Sequence, residues 1–380
     1  MAKEQSRHLQ EMIRREIEVS GGIAFDRYME LVLYAPGVGY YAGGARKFGA
    51  AGDFVTAPEV SPLFARCIAR QCAQVLQDLD GGDILEFGAG SGVFAADLLE
   101  ELAGLDRLPD RYLILEVSEG LRQRQEERLR SRGAGIFERV VWLDTLPEPG
   151  FAGMVIANEV LDAMPVNRFQ IIGGAPKEQF VTLIEGELTA EWSISGNRVL
   201  EEAVSDIEAS QGALDDGFES EINLRLEPWI EQLSDFLDKG AVLLIDYGYP
   251  RREYYHPLRS RGTLMCHYRH RAHPDPLILP GLQDITAHVD FSAVAEAAHS
   301  TGLMVEGYTT QAYFLMNSGL DEFITRSDPE DVKKHLILMQ QVKQLTLPTE
   351  MGERFKVLGL SRGLAAPLSG FNRHDQSFRL

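Results

Sequence analysis

Apolar and polar positions alternate along this chain with two different periods, and the switch between them divides it. Leu9 to Leu33 shows helical spacing, with Met12, Ile13 and Ile17 and then Tyr28, Met29, Val32 and Leu33 beyond Gly21-Gly22. Tyr34 to Pro62 is dense in Gly and Pro yet keeps Tyr40, Tyr41, Phe48 and Phe54, a composition that favours a functional loop over disorder. Leu63 to Leu79 returns to helical spacing. Short apolar runs then alternate with helical stretches. Strands are predicted at Ile84–Phe87, Tyr112–Val117, Val140–Leu143 and Gly153–Ala157, and helices at Val93–Leu102 and Leu121–Leu129. This rhythm predicts βαβ units, a parallel sheet and helices on both its faces.

From Arg168 to Trp192 the period falls to two, which predicts an antiparallel hairpin of Phe180–Ile184 and Leu188–Trp192 inserted after the fourth strand. A helix at Glu227–Leu237 leads to a fifth core strand at Ala241–Ile245. A long irregular segment, Tyr247–Asp290, follows. A helix at Phe291–Ser300, a strand at Met304–Tyr308, helices within Leu320–Lys343 and an antiparallel last strand at Phe355–Leu360 complete the pattern. The expected architecture is α/β: a Rossmann-like core on a mostly parallel seven-stranded sheet, with an N-terminal lid segment and an inserted α/β subdomain. Four regions result. Residues 1–80 hold the N-terminal helices and glycine-rich lid, and 81–165 the first half of the cofactor-binding core. Residues 166–238 form the insertion, and 239–380 the second half of the core with its long loop and C-terminal helices.

Composition narrows the function. Of 380 residues, 37 are basic and 57 acidic, a formal net charge of −20. That balance disfavours a nucleic-acid binder, which needs a basic face, and suits a cationic substrate. No apolar run approaches the roughly 20 residues that span a bilayer, so no membrane insertion is expected. The first twenty residues mix acids and arginines, unlike a secretory or transit peptide, and the chain reads as cytosolic. Cys67, Cys72 and Cys266 form no paired motif and read as reduced, partly buried thiols. His267, His270, His273 and His288 match no common zinc spacing, so no metal is expected. Each reads as a hydrogen-bonded structural histidine, with His270 or His288 as an alternative proton acceptor.

The first predicted strand runs into Glu86-Phe87-Gly88-Ala89-Gly90-Ser91-Gly92. Glycines let the backbone turn sharply and let a ligand come close, and the following helix offers free N–H groups. Dinucleotide enzymes use GxGxxG, with a pyrophosphate on the helix; here the third glycine comes one residue early. An acid stands two before the first. S-adenosylmethionine carries no phosphate, and its cationic amino group and sulfonium favour such an acid, Glu86. Gly88, Ala89, Gly90 and Gly92 then form the cofactor turn. Glu116, ending the second strand, can take both ribose hydroxyls because a carboxylate has two acceptor oxygens. An ordinary surface Glu is the alternative. Asp144, after the third strand, can accept from the adenine amino group or be a plain turn residue.

Read together, these segments resemble the MidA-type methyltransferases, a family with a mitochondrial member that acts in respiratory complex I assembly and many bacterial members. The matching stretches are 52–59 (Gly-Asp-Phe-Val-Thr-Ala-Pro-Glu), the glycine turn 86–92, and 158–165 (Asn-Glu-Val-Leu-Asp-Ala-Met-Pro). Shorter matches are Asp246-Tyr247-Gly248, Gly262-Thr263-Leu264, Asp284-Ile285-Thr286 and Val289-Asp290-Phe291. Met164 stands where the family pattern has Leu. The resemblance implies a class I methyltransferase that uses S-adenosylmethionine to methylate an arginine of a protein partner, with a complex I subunit as the candidate partner.

Asn158, Glu159 and Asp162 follow the fourth strand, where ligands of open α/β sheets bind. Glu159 and Asp162 suit a guanidinium clamp, because carboxylates hold that planar cation through bidentate, charge-assisted bonds. Each could instead be a helix N-terminal or turn acid. Asp53 and Glu59 lie in the glycine-rich segment, which is expected to close over the cofactor with Phe54, Thr56 and Pro58 against it; a purely structural loop is the alternative. Asp246 either faces the cleft or caps the next loop. Three rival functions remain: methylation of a small molecule or of another protein group, a cofactor-binding assembly chaperone without turnover, and a nicotinamide oxidoreductase.

Overall fold

The structure, a computed structural model, describes residues 2–43, 56–328 and 330–380. Its centre is a twisted sheet of seven strands: β1 (Asp83–Phe87), β2 (Tyr112–Leu115), β3 (Val140–Leu143), β4 (Phe151–Asn158), β5 (Leu237–Tyr249), β6 (Met304–Thr310) and β7 (Phe355–Arg362). They lie in the order β6-β7-β5-β4-β1-β2-β3. Only β7 runs antiparallel to its neighbours. A two-residue strand, Val289–Asp290, extends the sheet beside the end of β5. The expected strands are thus all present, most of them longer by a few residues at one or both ends.

The apolar runs are continuous because both faces are covered. Ile84, Ile114, Met154, Ile156, Leu243 and Ile245 point to one layer, with the helices Pro62–Leu79 and Val93–Gly104. Leu85, Leu113, Val155, Ala157, Val242 and Leu244 point to the other, with the helices Leu226–Phe236 and Phe291–Ser300. Alternate side chains of one strand therefore feed two separate cores.

The insertion after β4 is larger than a hairpin. Strands Asn167–Ile172, Ala175–Ile184, Glu187–Ile194 and Glu219–Ile222 form an antiparallel sheet, and Ile23–Ala24 joins it from the N-terminus. Its hairpin turns at Glu185-Gly186, both with positive φ, the geometry that matches strand twist. The helix Arg198–Gln211 covers this sheet through Leu200, Val204 and Ile207. The N-terminal helices, Ala2–Ser20 and Phe25–Tyr34, break at Gly21 as the spacing predicts. They pack on Val166 and Val181 of the insertion, and on Cys266 and Ile285. Those last two belong to a three-stranded sheet, Met265–Tyr268, Arg271–His273 and Asp284–Thr286, inside the segment expected to be irregular. Its strands are three or four residues long, too short for a period to show in the sequence. Cys67, Cys72 and Cys266 are buried free thiols, and burial pushes each of them up.

Candidate functional site

A cleft opens at the carboxyl ends of β1, β2 and β4, where the strand order reverses between β1 and β4. The glycine turn forms its floor. Gly88, Gly90 and Gly92 all have positive φ, and Gly92 then starts the helix Val93–Gly104. Gly88, Ala89 and Gly90 line the cleft, while Gly92 packs behind it: a Cβ there would lie 3.1 Å from the Gln125 backbone. Gln125 ties the floor together. Its Nε2 donates to Gly90 O and to Glu116 Oε2, both at 3.0 Å, and Trp142 Nε1 donates to its Oε1 at 2.9 Å. Sequence reasoning missed Gln125 because it sits in a polar helix without a motif.

Glu116 is buried and lines the cleft, so it is no ordinary surface residue. Ser118 N donates to its Oε1 at 2.9 Å. Glu86 also lines the cleft, and Tyr112 Oη donates to it at 2.8 Å. Burial pushes the Glu86 carboxyl up to about 8, against the opposing hydrogen bond from Tyr112. Asp144 is not among the lining residues. Its side chain is 86% exposed, and Arg122 Nη1 holds it at 2.7 Å while the same guanidinium braces Glu116 O and Leu143 O. Asp144 thus stands outside the cleft lining, in an ion pair with Arg122.

The turn after β4 carries the second half of the site. Asn158, Glu159 and Asp162 all line the cleft. Glu159 has φ +52, a conformation non-glycine residues seldom adopt, and its N–H donates to Ile245 O at 2.9 Å. Asn158 Nδ2 donates to Glu159 Oε1 at 3.3 Å, and Asn158 Oδ1 is buried without a partner among the described residues. Asp246, fully buried within β5, does not line the cleft; its carboxylate accepts from the backbone of Leu161, Asp162 and Tyr247 and so fixes the turn. Burial pushes Glu159 well up, reinforced by the charges of Asp162 and Asp284; Asp162 rises likewise beside Asp246 and Asp284. Asp246 itself is pushed up to about 8, by burial and by Glu159.

Thr56 and Pro58 reach the cleft, as does Glu59, which accepts from Ser91 Oγ. Asp53 and Phe54 lie outside the described residues. Tyr34, Tyr41, Tyr247, His267, Asp284 and Thr286 also line it and were not expected there. Neither histidine considered as a proton acceptor does. His270 is exposed at a hairpin tip, and His288 faces a second cavity between Tyr247 and Tyr249, where burial lowers it to about 4. The described lining holds six carboxylates and no Lys or Arg. It offers a glycine floor, a buried carboxylate for ribose hydroxyls, acids for a cationic amino group and an orphaned acceptor at Asn158. These groups fit S-adenosylmethionine.

Comparison with known proteins agrees. Residues 67–309 match the family described as "Putative S-adenosyl-L-methionine-dependent methyltransferase". The human protein arginine methyltransferase NDUFAF7 is 27% identical over 91% of this chain and 81% of its own length. Its Drosophila melanogaster homolog is 27% identical over 98% and 90%. A Burkholderia thailandensis protein crystallised with S-adenosyl-homocysteine is 45% identical, covers 100% of this chain and 98% of its own, and superposes with a TM-score of 0.95. The NDUFAF7 relatives are named as mitochondrial proteins, which overturns the cytosolic placement expected from the first twenty residues. Among the described residues no helix is long and apolar enough to cross a membrane.

Proposed function

The chain belongs to the S-adenosyl-L-methionine-dependent methyltransferase family, and from that premise we propose that it methylates an arginine side chain of a partner protein. The observation that carries this reading is the acidic turn: Glu159 and Asp162 face a cleft whose described lining has six carboxylates and no Lys or Arg. Buried carboxylates without a cation are costly, and a guanidinium is the protein side chain whose donors match two of them at once. The names of the curated relatives support the same acceptor. The family resemblance extends the reading to a subunit of respiratory complex I as the partner.

In this reading Gly88, Ala89 and Gly90 admit the cofactor to the floor, Glu86 receives its amino group, and Glu116 takes the ribose hydroxyls. Gly92 keeps its place by packing on Gln125, and Asp144 acts only through the Arg122 brace. Thr56 and Pro58 close the cofactor end against water. Bound S-adenosylmethionine supplies an electrophilic methyl group on a sulfonium. Glu159 and Asp162 hold the guanidinium and align one nitrogen with that methyl, and Asn158 Oδ1 accepts one of its N–H groups. Alignment and local charge do most of the catalytic work. In this reading Glu159, which lines the cleft beside that nitrogen, accepts the proton released when the nitrogen gains carbon.

The test compares proteomes of cells with and without the protein by mass spectrometry of methylated arginines. Loss of a methylarginine from a complex I subunit, restored by the purified protein and cofactor, supports the reading. An unchanged arginine methylation pattern rejects it and returns the small-molecule and chaperone alternatives.

A further inference from the structure

The acceptor side of the cleft is lined by two segments outside the core motifs. Tyr34 and Tyr41 come from the N-terminal region, and Asp284 from the three-stranded sheet. The two tyrosine rings stack, with centroids 5.4 Å apart and planes 22° from parallel. Tyr41 Oη donates to Asp284 Oδ1 at 2.9 Å, and Ile285 N donates to the same oxygen at 3.0 Å. Tyr34 Oη donates at 2.9 Å to Ala163 O, in the turn that carries Glu159 and Asp162. Asp284 is 1% exposed, and its charge pushes up the carboxyls of both Glu159 and Asp162, so the three acids act on one small volume.

We propose that Asp284 is a substrate-binding carboxylate held in place by Tyr41, and that with Glu159 and Asp162 it forms a socket selecting a guanidinium over an ammonium. The inference rests on the arginine reading above. A guanidinium spreads five N–H donors around the edge of a plane and has two flat faces; an ammonium is a compact point with three donors. Acids arriving from two separate elements satisfy several edges of the planar group at once. Stacked tyrosines beside them offer the aromatic surface that a guanidinium prefers. An ammonium would leave part of this acidity unneutralised in a buried site. Asp284 thus chooses the acceptor, and Tyr41 acts as a positioning residue through it.

The test uses the full chain saturated with S-adenosyl-homocysteine. N-acetyl-arginine amide and N-acetyl-lysine amide are titrated separately and followed by NMR. The unaltered protein is expected to favour the arginine amide by about tenfold or more. Asp284→Asn should lose about tenfold in arginine affinity while its S-adenosyl-homocysteine affinity stays unchanged. Tyr41→Phe should lower the arginine-to-lysine ratio by about threefold, less than Asp284→Asn, because Tyr41 reaches the guanidinium only through Asp284. If Asp284→Asn keeps the full arginine preference, the socket is wrong and the arginine reading stands. If the unaltered protein favours neither amide, the arginine reading fails and this inference with it. Should Asp284→Asn fail to bind S-adenosyl-homocysteine, Tyr41→Phe carries the test, and an unchanged ratio there overturns the proposal.

Discussion

Single residues in this cleft combine charge with constraint. Glu159 sits in left-handed backbone beside other buried acids, so its conformation and its ionisation both run against local preference. Glu159→Gln keeps the shape and removes the charge. It should leave cofactor affinity unchanged and slow methyl transfer by about a hundredfold, measured by calorimetry and by radiolabelled transfer to the substrate. Glu86 gives a pH signature. Its carboxyl, ordinarily near 4.5, is pushed up to about 8 in the folded protein. Between those values the folded protein keeps a proton that the unfolded chain has released, so stability is greatest at the acid end and falls as pH rises. His288, lowered to about 4, works in the opposite sense below its ordinary 6.5. Between pH 6.5 and 8 His288 no longer opposes this trend, while Asp246, Glu159 and Asp162, also pushed up, act in the same sense, so the Glu86 share is read from its variant. There the thermal midpoint should fall with pH, and Glu86→Gln should fall less steeply. Equal slopes would remove Glu86 from the set of strained acids.

At the level of elements, the core was legible because both its faces are buried. Continuous apolar runs such as Ile84–Leu85 and Val242–Ile245 carry their own signal. The glycine turn was legible because its chemistry demands a glycine-rich spacing. The three-stranded sheet and the strand Glu219–Ile222 were not, being too short for periodicity, and Glu219–Ile222 pairs with Asn167–Gln170, some fifty residues away. Distance in sequence also hid half of the cleft wall: nothing in local spacing joins Tyr41 to Asp284, 243 residues on. The pairing of Asp144 with Arg122, one turn into the helix Glu119–Arg130, was equally hidden, because the two lie 22 residues apart. Strand packing yields its own prediction. Gly153 in β4 has φ +152, and a Cβ there would lie 1.8 Å from the Asp83 carbonyl oxygen in β1. Gly153→Ala should destabilise the protein by about 3 kcal/mol in chemical denaturation, by forcing two paired strands apart. A loss below about 0.5 kcal/mol would show that the strands can separate there without strain.

The molecule as a whole carries a net charge of −20, and the cleft at the glycine turn is acidic as well. Long-range attraction and local recognition therefore favour the same partner, a basic one. The catalytic efficiency toward a protein substrate should fall several-fold between about 0.05 and 0.5 M salt, where screening shortens from about 14 to 4 Å. Cofactor affinity should change far less, and steady-state kinetics across that range separates the two. The architecture also bears on how the chain is made. The N-terminal helices find their partners late: Ile23 pairs with Val181, Tyr28 bonds to Pro276 O, and Tyr41 bonds to Asp284. At translation rates of about 5 to 20 residues per second, Tyr41 leaves the ribosome roughly 10 to 50 s before Asp284. Through that interval the two amphipathic helices, with Leu9, Ile13, Phe25 and Met29, wait for Cys266 and Ile285 to complete their cover, so this early-made region finishes folding late and gains from chaperone protection.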